Sequence, residues 1–81
     1  MYCYILQSEK SGRFYVGHAA DLQVRLEEHN SGKVTATCSK GPWQVVYSER
    51  FTTRSEAAKR ERHIKSWKSA VAIRKLIEDV G

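Results

Sequence analysis

Glu61 is a carboxylate on the helix face that the core should cover. Ala57, Glu61, Ile64 and Lys65 lie at positions i, i+4, i+7 and i+8 of a segment with helical periodicity. A carboxylate there needs a cation, because burying it alone is costly. The cation is either a Lys or Arg side chain in a structural ion pair, or a divalent metal, since magnesium often takes one glutamate with waters and substrate phosphate. The spacing by itself favours the ion pair.

Arg25 and His29 are a second pair of polar residues beside an apolar stripe. They stand four residues apart and share the helical period of Leu22 and Leu26, so neither lies on the opposite, solvated face. In the structural interpretation Arg25 extends along the edge of the core and His29 is a satisfied histidine at its boundary. The spacing leaves a functional interpretation open beside it.

Two tyrosines and a basic segment are the remaining candidates. Tyr4 and Tyr15 lie in segments that read as neighbouring strands, where such pairs are commonly packing contacts. The segment 54–68 is rich in basic residues, namely Arg54, Lys59, Arg60, Arg62, Lys65 and Lys68. It is either a solvated helix face or a surface for phosphates.

Six elements can be predicted to position these residues. Two strands at residues 2–6 and 14–16 form a hairpin, and Asp21 caps a short helix. Residues 32–42 read as an exposed loop, from which Lys33 and Lys40 could reach a phosphate backbone. A strand at 43–47 precedes a helix from a Thr53 capping box to about residue 68, and a last helix follows with an apolar stripe at residues 73, 76, 77 and 80. The order β-β-α-β-α-α predicts an α+β fold with a small three-stranded sheet flanked by helices.

Length and composition narrow the class of protein. Eighty-one residues make one domain, 1–81, and 41% hydrophobic with 28% charged residues is the composition of a globular protein. No apolar run approaches the length of a membrane span and no signal peptide is visible, so we expect a cytoplasmic protein without membrane contact. A net charge of +5 favours an anionic partner such as nucleic acid. Cys3 and Cys38 stand too far apart to suggest a disulfide framework or zinc site.

Several of these segments together resemble the GIY-YIG nuclease superfamily, in particular its small stand-alone bacterial members. The resemblance runs through Tyr2-Cys3-Tyr4-Ile5-Leu6, Phe14-Tyr15-Val16-Gly17, Asp21 to Leu26, His29 to Gly32 and Ser55 to Lys68. It implies a three-stranded antiparallel sheet between helices, and hydrolysis of a phosphodiester with one Mg²⁺ or Mn²⁺. By position it assigns catalytic roles to four residues, a structural role to Gly17 and the metal to Glu61. The four are Tyr4, Tyr15, Arg25 and His29.

The resemblance also implies a mechanism. Tyr4 would be the general base for a water nucleophile, helped to ionise by the metal, Arg25 or His29, while Tyr15 orients the water or phosphate. Arg25 would stabilise charge on the phosphoryl oxygens. The first half-motif lacks the glycine that names the family, and His18 stands where many relatives have lysine or threonine. His18 could assist proton transfer or be merely exposed.

These observations predict a metal-dependent DNA endonuclease, structure-selective or nonspecific, linked to DNA repair or recombination. The residues expected to contact nucleic acid are Lys33, Lys40, Arg60, Lys65 and Lys68. A separate recognition domain has no room in this length, so a protein partner could supply specificity. The alternatives are a binding module that holds branched or nicked nucleic acid without cutting it, and a protein-interaction adaptor.

Overall fold

The structure is a computed structural model that describes the backbone of residues 1–80 and the side chains of residues 1–79. Strands β1 (Tyr2–Ser8) and β2 (Phe14–Ala19) are followed by α1 (Leu22–Asn30) and β3 (Trp43–Arg50). Helices α2 (Arg54–Ser66) and α3 (Ala70–Val80) complete the chain, and Val80, expected in the stripe of α3, has its side chain outside the described residues. The predicted α+β fold with the order β-β-α-β-α-α is confirmed.

The three strands form one antiparallel sheet in the order β2-β1-β3. The sequence left the direction of β3 open, and the structure pairs it antiparallel to the central strand β1. Helix α1 packs near β3, while α2 packs on β1 and β2. Strand β2 is an edge strand, because it pairs with β1 alone.

Strand β1 separates two apolar clusters because its side chains alternate between the faces of the sheet. Cys3 and Ile5 join a cluster that includes Ile64 of α2, with α3 packed against it. Tyr4 and Leu6 join a second cluster with Trp43 on the α1 side. Cys3 is completely buried, as expected of a small apolar strand residue, and burial raises the pKa of its thiol to about 11.

The caps predicted from the sequence are confirmed. The backbone N–H of Val24 donates to Asp21, and Thr53 and Glu56 form a reciprocal capping box. Ser69 accepts from the N–H of Ala72 at the start of α3. These bonds satisfy backbone donors that have no partner within a helix.

Several boundaries differ from the prediction. The three strands run two or three residues further than expected, to Ser8, Ala19 and Arg50. Helix α2 ends at Ser66 and not at about Lys68, because Lys68 adopts a left-handed backbone conformation with φ of 48°. The segment 32–42 contains a short 3₁₀ turn, Thr35–Thr37, and Thr37 is only 1% exposed. The expectation that this segment is simply exposed is therefore wrong at Thr37, which a buried hydrogen bond holds against α1.

In the described part of the chain, no helix combines the length and apolar character that crossing a membrane requires.

Candidate active site

The site begins at a close approach between β1 and β2. Tyr4 is paired with Gly17 across the two strands, so both residues face the α1 side of the sheet. A Cβ atom on Gly17 would lie 2.6 Å from the Tyr4 hydroxyl oxygen and 3.1 Å from the Tyr15 ring. Only glycine leaves space for the phenol to lie over the backbone of β2.

A buried chain of hydrogen bonds runs from Tyr4 into the loop after α1. The Tyr4 hydroxyl is 2.9 Å from Nε2 of His29, whose Nδ1 is 2.8 Å from the Thr37 hydroxyl oxygen. That hydroxyl donates to the Val34 carbonyl at 3.3 Å, so it accepts from the Nδ1–H of His29. The network therefore assigns a neutral imidazole whose Nε2 lone pair accepts the hydrogen of Tyr4.

Electrostatics keep both members of the Tyr4 and His29 pair neutral. Burial raises the pKa of Tyr4 to about 12, although the neighbouring Arg25 guanidinium acts in the opposite direction. Burial and the positive charge of Arg25 lower the pKa of His29 below its ordinary value, against a smaller effect of Glu28. His29 is thus a free base near neutral pH, bonded to a phenol that ionises poorly by itself.

Arg25, on α1, lies at the Tyr4 end of this series of hydrogen bonds. Its guanidinium lies beside the Tyr4 hydroxyl, and this hydrogen-bonding contact raises the pKa of Arg25 further. Its Nη1 is 3.4 Å from a carboxylate oxygen of Glu28, and about a third of its side chain is exposed. The cation is positioned beside Tyr4 and remains within reach of a ligand.

Glu61 lies on the other side of β2, in an ion pair with Lys65 and in hydrogen-bonding contact with His18. One carboxylate oxygen is 2.6 Å from Nδ1 of His18 on β2, and the other is 2.7 Å from Nζ of Lys65. Burial raises the pKa of Glu61, but the hydrogen bonds from Lys65 and His18 outweigh it, so the pKa lies below its ordinary value. The ion pair that the spacing favoured is present between Glu61 and Lys65, and His18, whose role the sequence left open, bonds to the same carboxylate.

Lys65 connects the two sides of the site. Its ammonium group bonds to Glu61 and lies 5.8 Å from the centroid of the Tyr15 ring, which is itself 4.7 Å from the ring of His29. The structure thus brings the five predicted residues Tyr4, Tyr15, Gly17, Arg25 and His29 together on the α1 side. Glu61 lies across β2 from them, and Lys65 connects it to Tyr15.

The carboxylate of Glu61 fits a magnesium or manganese ion held through few protein ligands. Its side chain is 17% exposed, and His18 and Lys65 each occupy one lone-pair position of a different oxygen, so a second position on each oxygen is left for a metal. Among residues 1–79, no three His, Cys, Asp or Glu side chains are grouped closely enough to enclose a metal. A hard carboxylate completed by waters and substrate phosphate is the donor set that magnesium accepts in such sites.

The cations expected to contact nucleic acid lie in three places. Lys33 and Lys40 are exposed in the loop after α1, and Lys65 and Lys68 lie near the end of α2. Arg60 lies apart from them, because its guanidinium makes two bonds of 2.9 and 3.2 Å to the Glu49 carboxylate of β3. The structure therefore places Arg60 in an ion pair with the sheet.

Thr37 is the one member of the site that the sequence did not indicate. It lies in a segment without periodicity, eight residues from His29, and no local pattern marks a buried threonine there. The sequence did single out His18, because it stands where many relatives have lysine or threonine, but its partner lies 43 residues away. Such pairing across elements is decided by the tertiary structure.

Comparisons with known proteins identify the family of this chain. Residues 1–76 match the family model described as the GIY-YIG catalytic domain. A UPF0213 protein of Staphylococcus saprophyticus is 43% identical over 67 residues, which are 82% of this chain and 80% of that protein. A UPF0213 protein of Bacillus pumilus is 40% identical over 67 residues, 82% of this chain and 67% of the relative.

A solved structure shows the same fold. The solution NMR structure of the UPF0213 protein BH0048 from Bacillus halodurans matches with a TM-score of 0.59 and 31% sequence identity. The match covers 95% of this chain and 81% of the other. The resemblance to small bacterial proteins of this kind is confirmed, and the chain belongs to the GIY-YIG catalytic domain family, a nuclease-type family.

Proposed function

We propose that this protein is a metal-dependent endonuclease that hydrolyses phosphodiester bonds in DNA. The observation that supports this most strongly is the bond from the Tyr4 hydroxyl to Nε2 of a neutral His29, with Arg25 beside the same hydroxyl. His29 can receive a proton by way of the Tyr4 hydroxyl, and Arg25 places a positive charge beside it. Both features favour attack of water on a phosphate.

Tyr4 and His29 act together as the general base. Tyr4 alone is a poor base at neutral pH, because its proton leaves only at a pKa of about 12. As water attacks phosphorus, Tyr4 accepts a proton from the water and passes its own hydroxyl proton to Nε2 of His29. The imidazolium that results carries protons on both nitrogens, and Thr37 accepts from the Nδ1–H throughout.

Arg25 and Glu61 act on the phosphate from the two sides of β2. The Arg25 guanidinium donates to the phosphoryl oxygens on which negative charge develops. Glu61 would hold the divalent ion, which would supply Lewis-acid stabilisation of the charge on the scissile phosphate and on its leaving 3′-oxygen. The hydrogen bonds from Lys65 and His18 lower the pKa of Glu61, so its carboxylate stays ionised.

The substrate is expected to be branched, nicked or nonspecific DNA. The charge of +5 favours a polyanion, and the exposed Lys33 and Lys40 extend the basic surface beyond the site. A preference for branched or nicked DNA would place the enzyme in repair or recombination, and a protein partner could direct it there.

The test is cleavage of supercoiled plasmid and of branched DNA with Mg²⁺, Mn²⁺ or EDTA. We expect metal-dependent nicking that falls by about 100-fold or more in Glu61→Gln and in Arg25→Ala, the usual effect of removing an electrostatic group from an active site. Glu61→Gln should still bind DNA. Glu78→Gln, an exposed change of the same type on α3, is the control and should cut at the wild-type rate.

Two results would count against the proposal. Nicking that survives in both variants comes from another nuclease in the preparation. If the wild type binds DNA with a steep salt dependence but never cuts, the protein is a binding module for branched or nicked nucleic acid.

A further inference from the structure

A basic cleft adjoins the site at the end of the sheet where β1 turns into β2. It has a volume of about 530 Å³ and lies between the hairpin, the end of α2 and the first turns of α3. That volume is within the range of small-molecule sites, about 300–1,000 Å³. The cleft is therefore large enough for a nucleotide.

The lining combines an apolar floor with a rim of cations. Phe14, Val16 and Ile73 contribute to the floor, and four cations line the rim, namely Arg13, Lys65, Lys68 and Arg74. In the part of the chain that the structure describes, no aspartate or glutamate lines this cleft. The same residues offer an aromatic ring a surface to stack on and offer phosphates several positive charges.

Most of these cations are available to a ligand. Arg13, Lys68 and Arg74 are exposed, and among the described residues no carboxylate lies within ion-pairing distance of them. The Arg74 guanidinium is held 6.0 Å from the centroid of the Phe14 ring. Planar cations and aromatic rings are the groups that stack on the bases of single-stranded nucleic acids.

The cleft and the candidate active site have two residues in common. Tyr15 and Lys65 line it, and these same residues contact His29 and Glu61 respectively. A nucleotide in the cleft would therefore lie next to the phosphate being cut. In a duplex the bases are stacked and paired, so only an unpaired nucleotide can place its ring on the apolar floor.

We infer that this cleft binds an unpaired nucleotide adjacent to the scissile phosphate and so directs the enzyme to junctions between duplex and single-stranded DNA. The inference rests on the proposed function and names its substrate class. The base contacts the floor around Phe14, and the flanking phosphates contact Arg13, Lys68 and Arg74. A blunt duplex leaves the cleft empty.

The test compares binding of a blunt duplex with binding of the same duplex carrying a 5′ or a 3′ single-stranded tail of about six nucleotides. Fluorescence anisotropy in EDTA measures affinity without cleavage. We expect one tailed DNA to bind at least about fivefold more tightly than the blunt duplex. An abasic nucleotide at the first unpaired position should abolish that preference, because phosphates alone remain.

Two double variants decide whether the cleft is responsible. Arg13→Ala with Arg74→Ala should lose the preference for the tailed DNA. Arg50→Ala with Arg54→Ala removes the same charge at the opposite end of the sheet and of α2, and it should weaken both DNAs equally. The inference is overturned if the two double variants behave alike, if the abasic tail binds as well as the normal one, or if the wild type binds neither DNA.

The failures of the two proposals can be told apart. Tail preference that depends on Arg13 and Arg74 in a protein that never cuts would retain the cleft and refute the endonuclease. Metal-dependent cutting with equal rates on blunt and tailed DNA would retain the endonuclease and refute the cleft.

Discussion

At the scale of single residues, the site depends on two neutral groups whose pKa values burial moves apart. Tyr4 becomes a weaker acid and His29 a weaker base, so the proton between them stays on the tyrosine until a reaction draws it away. Thr37 determines which nitrogen of His29 is free to accept that proton. In the proposed function Thr37 is therefore a positioning residue that acts through His29.

Replacing Thr37 by valine tests this positioning role. Valine keeps the shape of threonine but removes the acceptor for Nδ1–H, so Nε2 is no longer reserved for Tyr4. We expect the single-turnover nicking rate to fall by about 10- to 100-fold with KM unchanged, as for other residues that orient a functional histidine. The buried N–H left without a partner should also cost about 1–3 kcal/mol of unfolding free energy.

Thr37→Ser is the matched control, since it retains the hydroxyl and should retain the rate. The pH profile gives a second readout. Because protonated His29 cannot accept from Tyr4 and its pKa is lowered from 6.5, the acidic limb of the wild-type rate should lie below pH 6.5. Equal losses in the valine and serine variants, or a limb above pH 6.5, would contradict the role assigned to Thr37 and His29.

If the proposed function holds, Gly17→Ala should slow nicking through contact of the new Cβ with the Tyr4 ring. The new Cβ would lie 2.6 Å from the hydroxyl oxygen and 2.8 Å from Cζ, so the phenol must move away from His29. We expect a loss in nicking rate of about 100-fold, the usual contribution of a general base, with DNA affinity preserved. Kinetics on supercoiled plasmid and anisotropy in EDTA measure the two effects.

Gly12→Ala is the comparison for Gly17. Gly12 has φ of 77°, with nothing within 4 Å of the added Cβ, so its substitution strains the backbone alone. It should lower the melting temperature. Because Gly12 lines the cleft and not the Tyr4–His29 pair, its substitution should reduce the nicking rate far less than Gly17→Ala does. If Gly17→Ala cuts at the wild-type rate, the Tyr4 ring does not need its observed position.

At the scale of elements, the end of α2 could be predicted less well than its start. The capping box at Thr53 is a local pattern, whereas the last turn is ended by the left-handed conformation of Lys68. Glycine is the usual residue at that position after a helix, because a Cβ is unfavourable there. Lys68 adopts this unfavourable conformation in the turn between α2 and α3, and its side chain contributes a cation to the cleft.

Lys68→Gly should therefore be more stable than Lys68→Ala. Both variants lose the same charge, and only alanine keeps the unfavourable Cβ. We expect a difference of about 1 kcal/mol in unfolding free energy, which for a domain of this size is about 4–8 °C in melting temperature. Thermal unfolding followed by circular dichroism measures it, while equal DNA affinities of the two variants would show that only the backbone differs.

At the scale of the whole molecule, one strand belongs to both cores. β1 contributes Cys3 and Ile5 to the cluster on the α2 side and Tyr4 and Leu6 to the cluster on the α1 side. Neither cluster can lose its packing without disturbing the strand that carries the other. We therefore expect the described fold to unfold as one cooperative unit, in keeping with the single domain predicted for 1–81.

The fluorescence of the two tryptophans can follow the unfolding of the two apolar clusters separately. Trp43 lies in the α1-side cluster, and Trp67 packs against the α2-side cluster. In Trp67→Phe and in Trp43→Phe, the remaining tryptophan fluorescence should follow the same urea unfolding curve as far-UV circular dichroism. A fluorescence transition at lower urea in either variant would show that one side opens independently.

The sequence by itself determined the elements, their order and most of the caps. It also predicted six site residues, which the structure places around β2: Tyr4, Tyr15, Gly17, Arg25, His29 and Glu61. These depend on local periodicity, capping chemistry and motif spacing, and each is visible within a few residues. It did not determine the direction of β3, the end of α2 or the burial of Thr37.

Only the tertiary structure decided which groups become partners. His29 meets Tyr4 25 residues away and Glu61 meets His18 43 residues away, because the register of the sheet and the packing of α1 and α2 bring them together. Arg60 is engaged by Glu49 of β3, while Lys65, on the same helix, reaches Tyr15. Spacing places a side chain on a face of its element, but the element packed against that face determines its chemistry.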